Sequence, residues 1–230
     1  MQTDRQGDTS DRFKQGPKEL IHNGKFLNMY KVDFEWQNGK LGVWEMIGRD
    51  VYDLPDPLNI QKNYGGADVI GIAIQTQDGD QTIAKTGEKI VLVCKIFRVP
   101  IMKYVLALPA GFKDPEDIDP TVTGLREMKE ETGYTGKNPQ SSYTCRTDPW
   151  KSDDRGVVVV CDIDLSSEEN KNPIQNLEGA EDISCLWIKF DSLVKNLEDK
   201  ANELNWDIDQ RLYNWAMGIE FALQNDLISE

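Results

Sequence analysis

The sequence predicts an α+β fold in which a mixed β-sheet lies between helices as an α/β/α sandwich, with a separate antiparallel β-hairpin subdomain at the N-terminus. Predicted strands outnumber predicted helices, and one helix falls in mid-chain between strands, which is typical of a mixed sheet covered by helices. An Asn-Gly dipeptide between two apolar segments indicates the hairpin. With 230 residues, the chain can form one large domain and a small appendage.

The first predicted segment, residues 1–16, is polar and has the character of a disordered tail. The second, residues 17–60, contains the hairpin, whose strands Lys25–Trp36 and Leu41–Ile47 flank a type I′ turn at Asn38-Gly39. A stretch rich in Asp, Pro, Asn and Gly follows at 50–66 and is typical of a linker. Residues 61–230 then form the main domain.

Alternating and continuous apolar runs predict the strands of the main domain, with an Asp-Gly turn at 78–79. These strands are Val69–Gln75, Lys89–Arg98, Tyr104–Leu108, Gly156–Ile163 and Ile183–Phe190. The mid-chain helix has Asp119 as its N-cap, Pro120 at its first position and Gly133 as its stop. Two further helices are predicted near Asp191–Asn202 and Asp207–Asn225.

The charge balance limits the partners of the protein. Lys and Arg number 26 and Asp and Glu number 40, which gives a formal net charge of −14. A chain this acidic is repelled by nucleic acid and by anionic lipid, so we expect neither as a partner. No apolar run reaches the length of a membrane span, and the N-terminus has no apolar signal core.

The cysteines predict a reducing compartment, the cytoplasm or the nucleus. None of the four forms a Cys-x-x-Cys pair, and three lie inside apolar runs, which is typical of buried reduced thiols. They are Cys94, Cys145, Cys161 and Cys185. The single histidine, His22, excludes a histidine-rich metal site.

The most informative segment is Arg126–Tyr134, in which Glu127, Glu130 and Glu131 share one helix face. Three close carboxylates repel one another unless a cation lies among them. Because the ligands are hard oxygens, Mg²⁺ is the expected ion and Mn²⁺ the alternative. A bare Glu-x-x-Glu-Glu pattern is also compatible with a solvated acidic helix face.

With its Arg and Gly included, this segment resembles the second half of the motif of the Nudix hydrolases: Arg-Glu, an apolar residue, any residue, Glu-Glu, any residue, Gly and an apolar residue. The first half departs from the family pattern, because 14 residues separate Gly111 from Arg126 where the pattern has 13. Six residues after Gly111 comes Asp117, and eight before Arg126 comes Ile118. Glu116 is the nearest glutamate, which leaves its role open.

The resemblance extends to the ADP-sugar diphosphatase (ADP-ribose pyrophosphatase) branch over about residues 17–225. Pro149, which lies 15 residues after Tyr134, is a marker of that branch, and several other segments are similar to its sequences. They are Gly24-Lys25-Phe26, Val43-Trp44-Glu45 with Arg49, Phe97-Arg98-Val99-Pro100, Glu178–Ser184 and Asp209–Tyr213. The resemblance implies Mg²⁺-dependent hydrolysis of ADP-ribose to AMP and ribose 5-phosphate. Two alternatives are another nucleoside diphosphate sugar, such as ADP-glucose, and a non-catalytic module that binds ADP-ribose.

The resemblance also implies roles for individual residues. The Ala110 carbonyl, Glu127 and Glu131 hold the metal, with Glu130 as their support or as a further ligand. Glu178 is the expected general base, with Glu181 in the same loop as its rival. The expected substrate contacts are Phe26 and Trp44 around the base, Glu45 at the adenine amine, Arg49 and Arg98 at phosphate or the adenine edge, and the Phe112 backbone with Asp148 at the terminal ribose.

The N-terminal subdomain, 17–60, is expected to bind substrate and to dimerise. A two-stranded hairpin is marginally stable alone and needs another surface to pack on. In related proteins the hairpin crosses to a second copy, so that one site takes residues from both subunits. The resemblance therefore implies a C₂ homodimer with a largely apolar interface.

Overall fold

The computed structural model describes residues 13–48, 64–75, 87–179 and 181–228. Arg49, the turn at 78–79 and most of the 50–66 linker lie outside the described residues. The chain forms two compact units, one made of Met1–Gly65 with Thr144–Gly156 and the other of Gly66–Tyr143 with Val157–Glu230. The sequence analysis did not foresee that the segment 144–156 joins the N-terminal unit.

The N-terminal unit contains a three-stranded antiparallel sheet in the order β1-β2-β3. Its strands are β1 (Phe13–Asn23), β2 (Asn28–Trp36) and β3 (Leu41–Gly48). The predicted hairpin corresponds to β2 and β3, and β1 is an addition. Residues 13–16 therefore belong to a strand and not to the predicted tail. The polar composition of this edge strand gives no apolar pattern from which to predict it, because β1 is held to β2 by backbone pairing.

The turn between β2 and β3 has a conformation different from the predicted type I′ turn. The Gly39 N–H donates to the Trp36 carbonyl at 2.8 Å, and the Trp36 N–H donates to the Lys40 carbonyl at 2.9 Å. Gly39 has a φ of 78°, whereas Asn38 is not among the positive-φ residues. A type I′ turn needs positive φ at both central residues, so this is a three-residue loop closed by a left-handed glycine.

The second unit contains a mixed sheet, as the sequence predicts. Its strands follow the order β12-β6-β5-β4-β10-β8, with β11 pairing with β5 and β7 with β4. Strand β12 is parallel to β6, whereas β5 is antiparallel to β4, β6 and β11. The strands are β4 (Gly66–Gln75), β5 (Glu88–Arg98), β6 (Lys103–Ala107), β7 (Ala110–Phe112), β8 (Gly136–Ser141), β10 (Arg155–Ile163), β11 (Ile183–Lys189) and β12 (Asp207–Ile208). The short strand β9 (Cys145–Arg146) pairs with Arg155 and Gly156 at the start of β10, and all four residues fall in the N-terminal unit.

One face of this sheet is covered by α1 (Pro120–Thr132). The Asp119 carboxylate caps the helix by accepting from the Thr121 N–H at 2.8 Å, and Gly133 ends it with a φ of 77°. Both ends agree with the sequence analysis. A Cβ on Gly124 would lie 2.9 Å from the Val159 side chain, so the glycine allows close packing of α1 on the sheet.

The opposite face is covered by α3 (Leu193–Leu204) and α4 (Gln210–Gln224); the remaining helix is α2 (Glu168–Lys171). Buried residues of α3 and α4 form one core cluster with Val91 and Val93 of β5. Alternate residues of β5 point the other way, toward the face that bears α1. The α/β/α sandwich is thus confirmed. None of the described helices is long and apolar enough to cross a membrane.

Candidate active site

Arg126 on α1 joins the helix to the loop that precedes it. Its Nη1 donates to Glu127 Oε1 and to Glu130 Oε2, both at 2.9 Å. Its Nη2 donates to Asp117 Oδ2 at 2.9 Å and to the Phe112 carbonyl at 2.8 Å. A single guanidinium therefore fixes three carboxylates and the end of β7, and the hydrogen bond that Arg126 donates to Asp117 in particular raises the pKa of Arg126.

Asp117, to which the sequence assigns no role, is the buried carboxylate that faces Arg126. Besides Arg126, it accepts from the Thr123 hydroxyl and the Asp114 N–H, each at 2.9 Å. Burial raises the pKa of Asp117, but these hydrogen bonds outweigh burial and leave the pKa lowered. Glu116, the nearest glutamate, is exposed. The sequence contained an indication of this residue, because Asp117 is the sixth residue after Gly111, where the family pattern has a glutamate.

Three of the predicted metal ligands lie together where β7 meets α1. Glu131 is buried, and its Oε2 accepts from the Ala110 N–H at 2.9 Å. The Glu127 carboxylate lies against Gly111, since a Cβ added to that glycine would be 2.0 Å from Glu127 Cδ. A side chain at position 111 would displace this carboxylate from its place, so the glycine lets Glu127 lie here.

Burial disfavours the charged form of two carboxylates at this site. Desolvation raises the pKa of Glu127 to about 7, even though Arg126 lowers it in part. Desolvation also raises the pKa of Glu131 to about 8, with the charges of Glu127 and Glu181 adding to the effect and the Ala110 N–H opposing it. One guanidinium therefore does not neutralise the cluster, and a further cation would relieve it.

The donor set fits a divalent cation that takes few protein ligands. Across residues 13–48, 64–75, 87–179 and 181–228, no group of three His, Cys, Asp or Glu side chains is arranged to hold a metal. Glu127, Glu131 and the Ala110 carbonyl supply hard oxygens, and Mg²⁺ commonly takes one or two carboxylates and completes its shell with water and phosphate. Glu130 is bonded to Arg126, which fits its role as a support.

The loop predicted to carry the general base is held by a small network. The Glu178 N–H donates to Glu181 Oε2 at 2.9 Å, and the Glu181 N–H donates to the Glu178 carbonyl at 3.0 Å. The Tyr104 hydroxyl donates to Asp182 Oδ2 at 2.6 Å and ties the loop to β6. The negative charge of Glu181, the rival of Glu178, acts on Glu131 and raises its pKa.

Arg98 ends β5 with its side chain exposed. Its positive charge acts on Glu131 and on Asp68, lowering both pKa values against the larger effect of burial. Asp68 itself pairs with Arg211 at 2.9 Å. The guanidinium of Arg98 has no hydrogen bond or ion pair to another described residue, which suits a group that meets an anionic ligand. The Phe112 carbonyl, by contrast, is occupied by Arg126.

The N-terminal unit does not assemble its predicted substrate residues into one cluster. Trp44 and Glu45 are consecutive in β3, so they point to opposite faces of the sheet. Phe26 lies in the β1–β2 loop, whereas Trp44 pairs with Val32, roughly 13 Å along β2 from its first residue. One chain therefore does not form the predicted sandwich of Phe26 and Trp44 around a base.

Asp148 and Trp44 both make contacts inside the N-terminal unit. Asp148 Oδ2 forms an ion pair with Lys151 at 3.1 Å, and the Asp148 carbonyl accepts from the Lys151 and Ser152 N–H groups. Trp44 Nε1 donates to the Trp150 carbonyl at 2.9 Å, which leaves its ring half exposed. The predicted contact of Asp148 with a ribose stays a prediction.

Residues 78–212 match the NUDIX domain family. The chain is 32% identical over 209 residues to a putative nudix hydrolase 2 of Caenorhabditis elegans, covering 89% of this chain and 84% of the relative. It is 32% identical over 203 residues to an ADP-ribose pyrophosphatase of Saccharomyces cerevisiae, covering 87% and 79%. A crystal structure of an ADP compounds hydrolase has the same fold, with a TM-score of 0.61 at 16% identity, covering 94% of this chain and 96% of that one.

The Arg126 network predicts different effects for two adjacent acidic residues. Asp117→Asn removes the buried charge that faces Arg126 and should lower the free energy of unfolding by about 2 kcal/mol. Glu116→Gln, the matched control, should stay within about 0.5 kcal/mol of the wild type. Urea unfolding of both variants measures this, and equal losses would contradict the assignment of Asp117.

The raised pKa values predict that stabilisation by Mg²⁺ depends on pH. Between about pH 5 and 8 the folded, metal-free protein retains protons on Glu127 and Glu131 that the unfolded chain has released, so stability falls as pH rises. Mg²⁺ binds the deprotonated carboxylates. The increase in Tm on adding Mg²⁺ should therefore be larger at about pH 8 than at about pH 6, as calorimetry can test. An increase that does not change with pH would contradict this account.

Proposed function

The chain belongs to the Nudix hydrolase family, and from that premise we propose that it hydrolyses the pyrophosphate of ADP-ribose to release AMP and ribose 5-phosphate. The observation that carries the proposal is the group formed by the Ala110 backbone, Glu127 and Glu131. The buried Glu131 carboxylate accepts from the Ala110 N–H, and the Glu127 carboxylate lies against the next residue, Gly111. The yeast relative named ADP-ribose pyrophosphatase supports this substrate.

Nudix hydrolases generally need a divalent metal, and we propose Mg²⁺ here, with Mn²⁺ as the alternative. Held by Glu127, Glu131 and the Ala110 carbonyl, the ion would supply Lewis-acid neutralisation of the diphosphate and would lower the pKa of a bound water. Arg126 keeps Glu127 in place, and Glu130 completes the bonding of Arg126. Arg98 would bind a phosphate oxygen through its exposed guanidinium.

The general base is proposed to come from the loop that contains Glu178 and Glu181. Glu178 is the residue expected from the sequence. The electrostatic effect of Glu181 on Glu131 favours Glu181, because a base must reach the water beside the metal ligands.

Two functions other than ADP-ribose hydrolysis are considered, and the site bears on each of them differently. Hydrolysis of another ADP-sugar uses the same metal and phosphate contacts, so the site does not distinguish the sugar. A non-catalytic module that binds ADP-ribose is disfavoured, because such a module gains nothing from buried carboxylates that destabilise its metal-free state.

The homodimer is proposed because the three-stranded sheet leaves large apolar side chains exposed, including Leu41 at 76%, Phe26 at 70% and Trp44 at 50%. Phe26 and Trp44 do not meet within one sheet. A base stacked between them would therefore need Phe26 from one copy and Trp44 from the other. Arg49 is proposed to contribute at the same site. The predicted contact of Glu45 with the adenine amine stays a prediction, since Glu45 and Trp44 point to opposite faces of the sheet. The cytoplasm or nucleus stays the predicted compartment.

Removing the charge of Glu131 separates catalysis from folding. Glu131→Gln should lower kcat by about 10²- to 10⁴-fold, because charge stabilisation in the transition state is lost. Its Tm without metal should be equal or higher, since burial disfavours the charge. AMP release and thermal melting are measured together, with Glu116→Gln as the control. Near-normal turnover would contradict the metal-ligand role.

Paired variants of the loop identify the base. If Glu178 is the base, Glu178→Gln lowers kcat strongly with little change in KM, whereas Glu181→Gln stays active. The reverse result assigns the base to Glu181, as the electrostatics favour. Full activity in both variants would contradict a base in this loop.

The shared site predicts complementation between two variants that each bind ADP-ribose more weakly. Phe26→Ala and Trp44→Ala should each weaken ADP-ribose binding by about 1–3 kcal/mol. Mixed and reassembled, half of the dimers carry one intact site, so about one quarter of the sites should recover. Light scattering should give twice 26.2 kDa for the full chain. A monomer, or a mixture without recovery, would contradict the shared site.

A further inference from the structure

Cys94 on β5 and Cys185 on β11 are directly opposite each other, and their Sγ atoms are 3.9 Å apart. The backbone hydrogen bonds at the two ends of the β5–β11 pair show which opposite residues are hydrogen-bonded to each other. The Phe190 N–H donates to the Lys89 carbonyl and the Phe97 N–H to the Asp182 carbonyl. Since hydrogen-bonded pairs alternate with non-hydrogen-bonded ones, Cys94 and Cys185 form a non-hydrogen-bonded pair.

That position suits a covalent bond between the two thiols. Non-hydrogen-bonded pairs in antiparallel strands have Cα atoms about 4.5 Å apart and side chains that lie close, and disulfides form at Cα separations of about 4.4–6.8 Å. The backbone therefore needs little movement. We propose that Cys94 and Cys185 form a reversible intramolecular disulfide when the protein meets a peroxide.

The reaction balances with a peroxide as the oxidant. Cys94 is fully buried, whereas Cys185 is only partly buried, so Cys185 is the thiol that a small oxidant reaches first. Its sulfur attacks one peroxide oxygen, which leaves a sulfenic acid and one water. The Cys94 sulfur then displaces the hydroxyl from the Cys185 sulfur, and a second water leaves. Two thiols lose two electrons and two protons in total, and the peroxide takes up both.

The pair also lies behind the carboxylate proposed to bind metal. Cys185 Sγ donates to the Glu131 carbonyl at 3.6 Å, and Gln175 Nε2 donates to the same carbonyl. Gln175 Nε2 further contacts Cys185 Sγ at 3.8 Å and the Ile183 carbonyl at 3.1 Å. Disulfide formation removes the Cys185 S–H and brings its sulfur to about 2.05 Å from that of Cys94. The Glu131 carbonyl, in the last turn of α1, then loses one of the two side-chain donors that bond to it.

This coupling rests on the proposed function and predicts that oxidation weakens divalent metal binding. The site then has a reduced form that binds the ion well and an oxidised form that binds it less well. Cys161, which is buried against the Met128 sulfur, and the exposed Cys145 serve as internal controls.

The experiment treats the full chain with hydrogen peroxide and maps its peptides by mass spectrometry. We expect a Cys94–Cys185 link within one chain, lighter by two hydrogen atoms, reversed by dithiothreitol and retained in Cys145→Ser. Disulfides that involve only Cys145, or over-oxidation of Cys185 beside a free Cys94 thiol, would overturn the proposal. Cys185→Ser and Cys94→Ala should each abolish the link, and either variant suffices if the other does not fold.

Mn²⁺ binding, followed by the electron paramagnetic resonance of the free ion, tests the coupling. Oxidation should weaken Mn²⁺ binding at least about twofold in the wild type and leave it unchanged in Cys185→Ser. Equal binding before and after oxidation would overturn the coupling. If neither form binds Mn²⁺, the coupling fails together with the proposed function, whereas the peptide map still decides the disulfide.

Discussion

The bonding of Arg126 is the interaction on which the rest of the site depends. A planar guanidinium offers five donors in a fixed arrangement, and this one uses them for Asp117, Glu127, Glu130 and the Phe112 carbonyl. Those bonds attach the loop before α1 to the helix and set the position of Glu127. That position in turn requires the bare backbone of Gly111. A lysine could not replace the arginine, since a point charge does not hold several acceptors in fixed directions.

The same arrangement leaves a charge imbalance that links structure to function. Glu131 is buried more deeply than Glu127, and its bonding partner is a backbone N–H and not a cation. Burial of a carboxylate without a positive partner costs stability, so the site is held in a state that the proposed divalent ion would relieve. The helix caps at Asp119 and Gly133 and the packing of Gly124 provide the rigid support that this state needs.

Some of these features can be predicted from the sequence and others cannot, and the difference has physical reasons. The ends of α1 were predicted because a capping aspartate, a proline at the first position and a terminal glycine act locally. Strand β1 was missed because an edge strand held by backbone bonds needs no apolar pattern. Asp117 was not predicted, because the sequence offers Glu116 as the nearest glutamate. The sixth position after Gly111, where the family pattern has a glutamate, is nevertheless that of Asp117. The opposite orientations of Trp44 and Glu45 follow from the two-residue period of a strand. The contact between Cys94 and Cys185 depends on strand register and was beyond a single sequence.

The central claim is that the site around Arg126 is catalytic and does not merely bind its ligand. The most direct measurement incubates the full chain with ADP-ribose and separates the products by chromatography, with Mg²⁺, with EDTA, and with EDTA followed by excess Mg²⁺. The account predicts equal amounts of AMP and ribose 5-phosphate with Mg²⁺, none with EDTA and recovery when Mg²⁺ is restored. Saturable binding of ADP-ribose without any AMP in the presence of Mg²⁺ or Mn²⁺ would contradict it.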